Sequence, residues 1–347
     1  MTKQLMVGNV AIGGGATVTI QSMCNTKTHD VVATVAQIHA LEAVGCEIIR
    51  VAVPDMAAAE AIDQIQAQIS IPLVADIHFN HKLALECARR GVDAIRINPG
   101  NIGGSENVKA VADICREKQI PIRIGVNGGS MEKEIKAKYG GVTAQGLVES
   151  ALGHVKLLNQ FDFDDIAISV KCSSVPLTMQ AYTLLSQSSD YPLHLGVTEA
   201  GTPTMGVMKS AMGIGGLLCM GIGDTLRVTL TADPVEEIYV AKQILQAAGL
   251  RQSGVNLIAC PTCGRTNIDL IAIANEVERR LLDCKKPLTV AVMGCVVNGP
   301  GEASDADIGI AGGDGEGILF CKGKVLYKVP QDKLVDALMT EIDRLDC

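Results

Sequence analysis

Tryptophan is absent from this chain of 347 residues, and only four Phe and five Tyr are present. That leaves little material for the aromatic platforms on which single-stranded nucleic acids stack. A basic surface is missing as well. The formal net charge is −8, whereas phosphate-backbone binding needs clustered Lys and Arg. No nucleic-acid partner is expected. No apolar run reaches the roughly 20 residues of a membrane span, and MTKQLMVGNVAIGGG at the N-terminus lacks the basic region, apolar core and cleavage site of a secretory signal. The expectation is a cytoplasmic protein without membrane contact. No GxGxxG stretch is present, which weakens a dinucleotide-binding fold. With 48% hydrophobic and 20% charged residues the composition is that of an ordinary globular protein. Its length suits two domains, or one large barrel plus a smaller module.

What the chain does have is cysteine, twelve of them. In a cytosolic chain these read as reduced thiols and metal ligands rather than disulfides. Cys46, Cys87, Cys115 and Cys219 lie in apolar or helical contexts and are expected to act as small core residues. The stretch from Cys260 to Glu302 is different. It opens with ACPTCGR and closes with GCVVNGPGEA. One turn can aim Cys260 and Cys263 at the same metal, and Cys295 arrives in a loop rich in Gly and Pro, where the backbone bends tightly. Three thiolates with no fourth cysteine at an obvious spacing fit a closed zinc site poorly. An iron–sulfur cubane can keep one iron for another ligand or a substrate.

Elsewhere a short β-branched run recurs, each time followed by a helical pattern. The runs are TVTIQS from Thr17, EIIRVAV from Glu47, PLVADI from Pro72, AIRIN from Ala94, PIRIGV from Pro121, IAISVK from Ile166, LHLGV from Leu193 and DTLRVTL from Asp224. Between them lie amphipathic stretches such as residues 32–44, 82–90 and 235–248. Alternating strands and helices imply parallel βαβ units, and eight of them match a (β/α)8 TIM barrel over residues 1–250. RQSGV (residues 251–255) reads as a linker. Residues 251–347 then form a small α/β domain, with strands expected at 255–259, 288–292, 307–311 and 318–327 and helices at 268–282 and 331–345.

A (β/α)8 barrel builds its active site at the carboxyl ends of its strands. Here those positions hold Arg50, Asp76 with His78, Arg96, Arg123, Lys171, Glu199 and Arg227. Asp76 and Glu199 do not neutralise four arginines and a lysine, so the mouth calls for an anion. Guanidinium forks suit phosphate oxygens, and a diphosphate-bearing substrate is the natural inference. The loops GNIGG (residues 100–104) and GVNGGS (residues 125–130) offer backbone N–H groups to phosphates. Lys171 also admits a Schiff-base role, as in barrel aldolases, with His78 or Glu199 as proton donor.

The runs NLIACPTCGR and GCVVNGPGEA, together with ADIHFN, IRINPGNIG, RIGVN, HLGVTEAG and GIGDTLRVTL, resemble the hydroxymethylbutenyl diphosphate synthase family of the methylerythritol phosphate route to isoprenoids. The similarity covers essentially the whole chain, in the short bacterial form. It implies a reductive ring opening of methylerythritol cyclodiphosphate to hydroxymethylbutenyl diphosphate, with two electrons delivered through a [4Fe–4S] cluster. The positions matching the family's cluster ligands are Cys260, Cys263, Cys295 and Glu302. Those matching its substrate contacts are Arg50, Arg96, Arg123, Asn127, Lys171, Arg227 and Thr229, with Asp76 and His78 in the same pocket. Asn298 matches an asparagine that reaches substrate from the cluster domain, and Glu199 a glutamate implicated in proton transfer. Flavodoxin or ferredoxin is the implied electron donor. Glu302, a hard oxygen ligand among thiolates, is expected to be the most replaceable of the four and to yield its iron to a substrate oxygen.

Chain geometry bears on assembly. A barrel's eighth helix ends opposite the mouth, and a linker of residues 251–255 spans at most about 18 Å. The cluster domain therefore reaches its own barrel's mouth with difficulty. A head-to-tail homodimer with shared sites solves the problem, and the family is likewise dimeric. Two other readings compete: a Lys171 lyase with a structural zinc, and a non-catalytic iron–sulfur carrier.

Overall fold

The structure is a computed structural model that describes residues 1–252, 254–281, 284–296 and 299–345. The chain divides into two compact units, Met1–Leu250 and Arg251–Cys347. Among the described residues no helix is long and apolar enough to cross a membrane.

The first unit opens with a hairpin of β1 (Leu5–Val7) and β2 (Val10–Ile12). Eight parallel strands follow: β3 (Thr19–Met23), β4 (Ile48–Ala52), β5 (Leu73–Asp76), β6 (Ala94–Ile97), β7 (Ile122–Asn127), β8 (Ile166–Lys171), β9 (His194–Leu195) and β10 (Thr225–Leu226). Neighbours in sequence are neighbours in the sheet, β10 returns to β3, and a parallel bridge from Ile168 to Leu193 joins β8 to β9. All eight expected strands are present, and the barrel is nearly closed. Its register explains the lining. Residues such as Ile49, Val51, Ile95, Ile97, Ile122 and Ile124 point outward into the shared core with the helices. The alternate residues point inward.

At the amino-terminal end the interior is apolar. Leu5, Val7 and Ile12 of the hairpin cover Ile48, Val74, Ala94 and Ala167, one from each of four strands. Sequence patterning missed this plug, because its strands have only three residues each. The barrel helices fall where periodicity placed them, at Val31–Ala43, His81–Arg89 and Pro234–Ala247 for the three stretches named above. Asp30, Asn80 and Asp233 cap their first turns through side-chain oxygens.

The second unit is a five-stranded sheet in the order β11 (Asn256–Ala259), β12 (Thr289–Met293), β13 (Ile308–Gly312), β14 (Glu316–Cys321) and β15 (Lys324–Pro330). The first three strands are parallel and the last two antiparallel. Helices Leu270–Leu281 and Leu334–Arg344 cover the sheet through Val277, Leu281, Leu338 and Ile342. The single strand expected at 318–327 is in fact a hairpin. Lys322 and Gly323 both take positive φ, 47° and 74°, and form the two-residue turn that matches strand twist. Of the four cysteines expected in the core, Cys46, Cys87 and Cys115 are buried, whereas Cys219 is exposed at the end of a short helix.

Candidate functional site

Inward positions at the carboxyl ends of the barrel strands bring the expected ionic residues together. Arg50 pairs in register with Met23, Asp76 with Arg96, Arg96 with Arg123, and Asn127 with Lys171. Asp76 lies between two arginines: Arg96 Nη1 is 3.1 Å from Oδ1, and Arg50 Nε is 3.6 Å from Oδ2. Burial opposes its ionisation, but Arg50 and Arg96 outweigh burial and hold the carboxyl below the usual range. Arg96 also donates from Nη2 to the Gly125 carbonyl at 3.2 Å.

The remaining cations have less company. Arg123 is 7% exposed, and all three of its guanidinium nitrogens are buried without a hydrogen-bond partner among the described residues. Burial, with Arg50 and Arg96 close by, lowers its pKa well below the ordinary value. Lys171, also buried, is depressed in the same way by burial and by Arg123, Arg50 and Arg227. Burial likewise brings Arg50 down to about 10. Buried cations normally pair. Arg123, unpartnered among the described residues and surrounded by other cations, departs from that norm.

Glycine makes the crowding possible. A Cβ on Gly125 would stand 2.3 Å from Arg96 Nε, and one on Gly196 would stand 2.4 Å from Lys171 Nζ and 2.9 Å from the Arg227 carbonyl. Gly125 and Asn127 belong to β7 itself, so the expected loop at 125–130 shrinks to the single turn Gly128–Ser130. At the rim, Thr229 donates to the Val197 carbonyl. His78 is exposed beside Phe79, with ring centroids 6.0 Å apart. Glu199 is exposed and carries a left-handed backbone at φ 53°.

Three lining residues escaped sequence reasoning. Met23 places its sulfur 2.8 Å from Arg50 Nη2 and 3.4 Å from Arg227 Nη1, a neutral acceptor between two arginines. Glu237, 4% exposed on helix Pro234–Ala247, accepts from Leu230 N at 3.0 Å and lies 3.5 Å from Arg227 Nε. His194, an inward position of β9, is fully buried, and burial with Arg123 and Lys171 keeps it neutral. His194 was visible as the alternate residue of LHLGV. Met23 and Glu237 were not, being a neutral side chain and a helix residue.

Burial and mutual repulsion penalise the charged forms of Lys171 and Arg123, and an anion paired with them offsets that penalty.

In the second unit the cysteines collect where two parallel strands end. Ala259 of β11 pairs with Val292 of β12, and Cys260 N donates to the Val292 carbonyl at 3.0 Å. The Cys263–Thr266 turn closes through Thr266 N to Cys263 O at 3.0 Å. Asn267 N reaches Gly294 O at 3.4 Å, beside Cys295. A Cβ on Gly294 would fall 2.8 Å from Thr266 Oγ1, so the two cysteine segments touch only because residue 294 is glycine. Gly299 N returns to the Cys295 carbonyl at 3.2 Å and starts the short helix Gly299–Glu302.

Chemistry separates these thiols from the core ones. Burial pushes Cys24, Cys46, Cys87 and Cys115 up to about 12, which makes them inert. Cys263 is instead lowered, chiefly by the Arg265 backbone N–H, toward the thiolate form that ligates soft metal. Among the described residues no three Cys, His, Asp or Glu side chains converge closely enough for one metal ion. A cubane does not ask for that, since each of its ligands holds a different corner iron. Three thiols and a carboxylate on neighbouring segments suit such a group. Asn298 lies outside the described residues.

Comparison with known proteins agrees with the architecture. Residues 2–242 match the family described as "GcpE TIM-barrel domain", and residues 256–344 match "GcpE protein C-terminal domain". A protein of Caldanaerobacter subterraneus named 4-hydroxy-3-methylbut-2-en-1-yl diphosphate synthase (flavodoxin) is 59% identical over 99% of this chain and 97% of its own. Proteins of the same name from Geobacter sulfurreducens (58%, covering 99% and 98%) and Clostridium perfringens (59%, covering 99% of each) are similar throughout. Among solved structures, a dihydropteroate synthase from Vibrio fischeri has a TM-score of 0.51 at 11% identity over 71% of this chain and 98% of that one. That likeness concerns the barrel fold alone. With nearly all of both units matched and relatives near 60% identity over almost their whole length, the chain belongs to the GcpE family.

Proposed function

We infer that this chain is a 4-hydroxy-3-methylbut-2-en-1-yl diphosphate synthase, which opens 2-C-methyl-D-erythritol 2,4-cyclodiphosphate reductively. The reaction consumes two electrons and two protons and releases one water. The observation that carries the reading is Arg123, a buried guanidinium with no partner among the described residues, set among Arg50, Arg96, Lys171 and Arg227. The name shared by the full-length relatives supports the same reading.

Arg123 and Lys171, the least compensated cations, grip the diphosphate. Arg50 and Arg96 join them from either side of Asp76, whose carboxylate fixes both guanidinium planes. Asn127 and Thr229 add neutral polar contacts, and His78 stands at the rim over the exposed end of the substrate. Glu199 supplies a proton. Its left-handed backbone, costly by about 1–3 kcal/mol for a non-glycine residue, is strain of the kind that collects at functional sites.

Cys260, Cys263 and Cys295 hold a [4Fe–4S] cluster, with Glu302 as the fourth and most replaceable ligand. When bound, that group supplies single electrons and a Lewis-acidic iron. Asn298 assists from the same domain. The barrel, residues 1–250, binds substrate, and residues 251–347 carry the cluster. Flavodoxin, which the relatives' names mention, is the electron donor, with ferredoxin as its substitute. The short linker supports a head-to-tail homodimer, and the composition supports a cytoplasmic location without nucleic-acid or membrane contact.

Anaerobic turnover of the cyclodiphosphate with dithionite tests the reading. Protein with about four irons per chain is expected to release hydroxymethylbutenyl diphosphate. Fully loaded protein that leaves the cyclodiphosphate intact overturns it.

A further inference from the structure

The loops that follow β6 and β7 are fastened to the helical layer by side chains that the reaction leaves unused. Glu132 occupies the N-cap position of helix Lys133–Tyr139, yet its side chain makes no cap bond. It reaches instead for helix Ala144–Asn159. Ser150 Oγ donates to Glu132 Oε2 at 2.7 Å, and His154 Nε2 stands 2.8 Å from Oε1. Ser150 and His154 are four residues apart, on one face of that helix, and both are buried. At that distance Glu132 acts on the ring both through its charge and as a hydrogen-bond acceptor. Burial lowers the basicity of His154, and Glu132 only partly restores it.

The same ring supports a second loop. A Cβ on Gly100 would lie 3.0 Å from His154 Cε1 and 3.5 Å from Nε2, so the Gly100 backbone rests against the imidazole. Gly100 N is held in turn by Asn98 Oδ1 at 3.0 Å. On the β7 side, Lys136 Nζ binds the Gly129 carbonyl at 3.1 Å. The turn Gly128–Ser130 begins directly after Asn127, which faces Lys171 across the strand register. Two consecutive glycines give such a turn little stiffness of its own. Its shape must therefore come from its anchors, which are Met131, buried in the core, and Glu132, bound to the buried Ser150 and His154.

We propose that Glu132, Ser150 and His154 are positioning residues that hold the loops after β6 and β7, and through them Asn127, in the arrangement that receives the diphosphate. The proposal rests on substrate binding at the barrel mouth. Because neither change removes a carboxylate, Ser150→Ala and His154→Leu loosen the clamp without altering the charge presented to an anion.

Two measurements on the full-length holoenzyme test it. Each substitution is expected to raise KM for the cyclodiphosphate about fivefold, the worth of one hydrogen bond, while kcat changes less than about twofold. His154→Gln, which keeps a donor, recovers most of the loss. In an Asn127→Ala background the same substitutions add little, because the effect runs through Asn127. An equal KM increase in both backgrounds, or an unchanged KM, overturns the proposal. Amide exchange across residues 125–132 is expected to quicken in Ser150→Ala even without substrate. Exchange at the wild-type rate overturns the clamp by itself. If wild-type protein neither binds nor converts the cyclodiphosphate, the functional reading fails instead, and the exchange result still judges the clamp.

Discussion

Replacing Arg123 with methionine is expected to raise the melting temperature and, in the same protein, to remove most of the affinity for the cyclodiphosphate. The two effects have one origin. Arg123 is buried and unpartnered among the described residues, with Arg50 and Arg96 near enough to repel it. Folding must strip water from that guanidinium without an acid to receive it. A flexible thioether of similar length fills the space with no such penalty, and exchanging buried ionic groups for apolar ones commonly stabilises by about 1–4 kcal/mol. For a unit of this size that is a rise of roughly 2–8 °C. With substrate the ledger reverses, because a desolvated charge pair lost at a binding site costs about 2–5 kcal/mol or more, here roughly 10²- to 10³-fold in Kd. Scanning calorimetry and binding titration on the same preparations decide the matter. A lower melting temperature with unchanged Kd would mean that Arg123 is structural and that the anion binds elsewhere.

That contrast between stability and function also explains what could be read from the sequence. A barrel keeps its site at the carboxyl ends of its strands, and ionic side chains at those positions stood out against Val and Ile. Arg50, Asp76, Arg96, Arg123 and Lys171 were legible for that reason, and the structure brings them together. The cysteine segments were legible because CxxC and a glycine-rich loop are local patterns. The missing parts depend on contacts between separate elements of the fold. Glu237 reads as one polar residue in an amphipathic helix until the fold sets it beside Arg227, ten residues back along the chain. Met23 carries no charge to draw attention, yet its sulfur separates two arginines. The closeness of Lys171 to β9 depends on Gly196, and no feature of either strand alone signals it. The hairpin at Lys322–Gly323 was hidden differently, since an unbroken run of strand-forming residues on both sides masked a turn that only positive φ reveals.

Cys295→Ala is expected to lower turnover at least about 10³-fold while changing cyclodiphosphate affinity much less. Thiolates are the ligands that hold an iron–sulfur group, and two of the three cannot secure a cubane against loss. The arginines of the barrel are untouched by the change, and on the function proposed above they provide the charge that binds the diphosphate. Loss of iron and of visible absorbance, with near-normal binding by calorimetry, is therefore the expected pair of results. A Cys295→Ala protein that keeps its iron and its rate removes Cys295 from the ligand set.

The same variant reports on the proposed homodimer when it is mixed with Arg123→Met. Each is inactive for a different reason, one through its cluster domain and one through its barrel. In a head-to-tail dimer with shared sites, a mixed dimer regains one site built from the two sound halves. Random exchange then restores roughly a quarter of wild-type activity per chain. Sites formed within single chains restore nothing, because every chain in the mixture lacks either its barrel cation or its cluster ligand. Differently tagged subunits, shown to have exchanged, make the absence of recovery as informative as its presence.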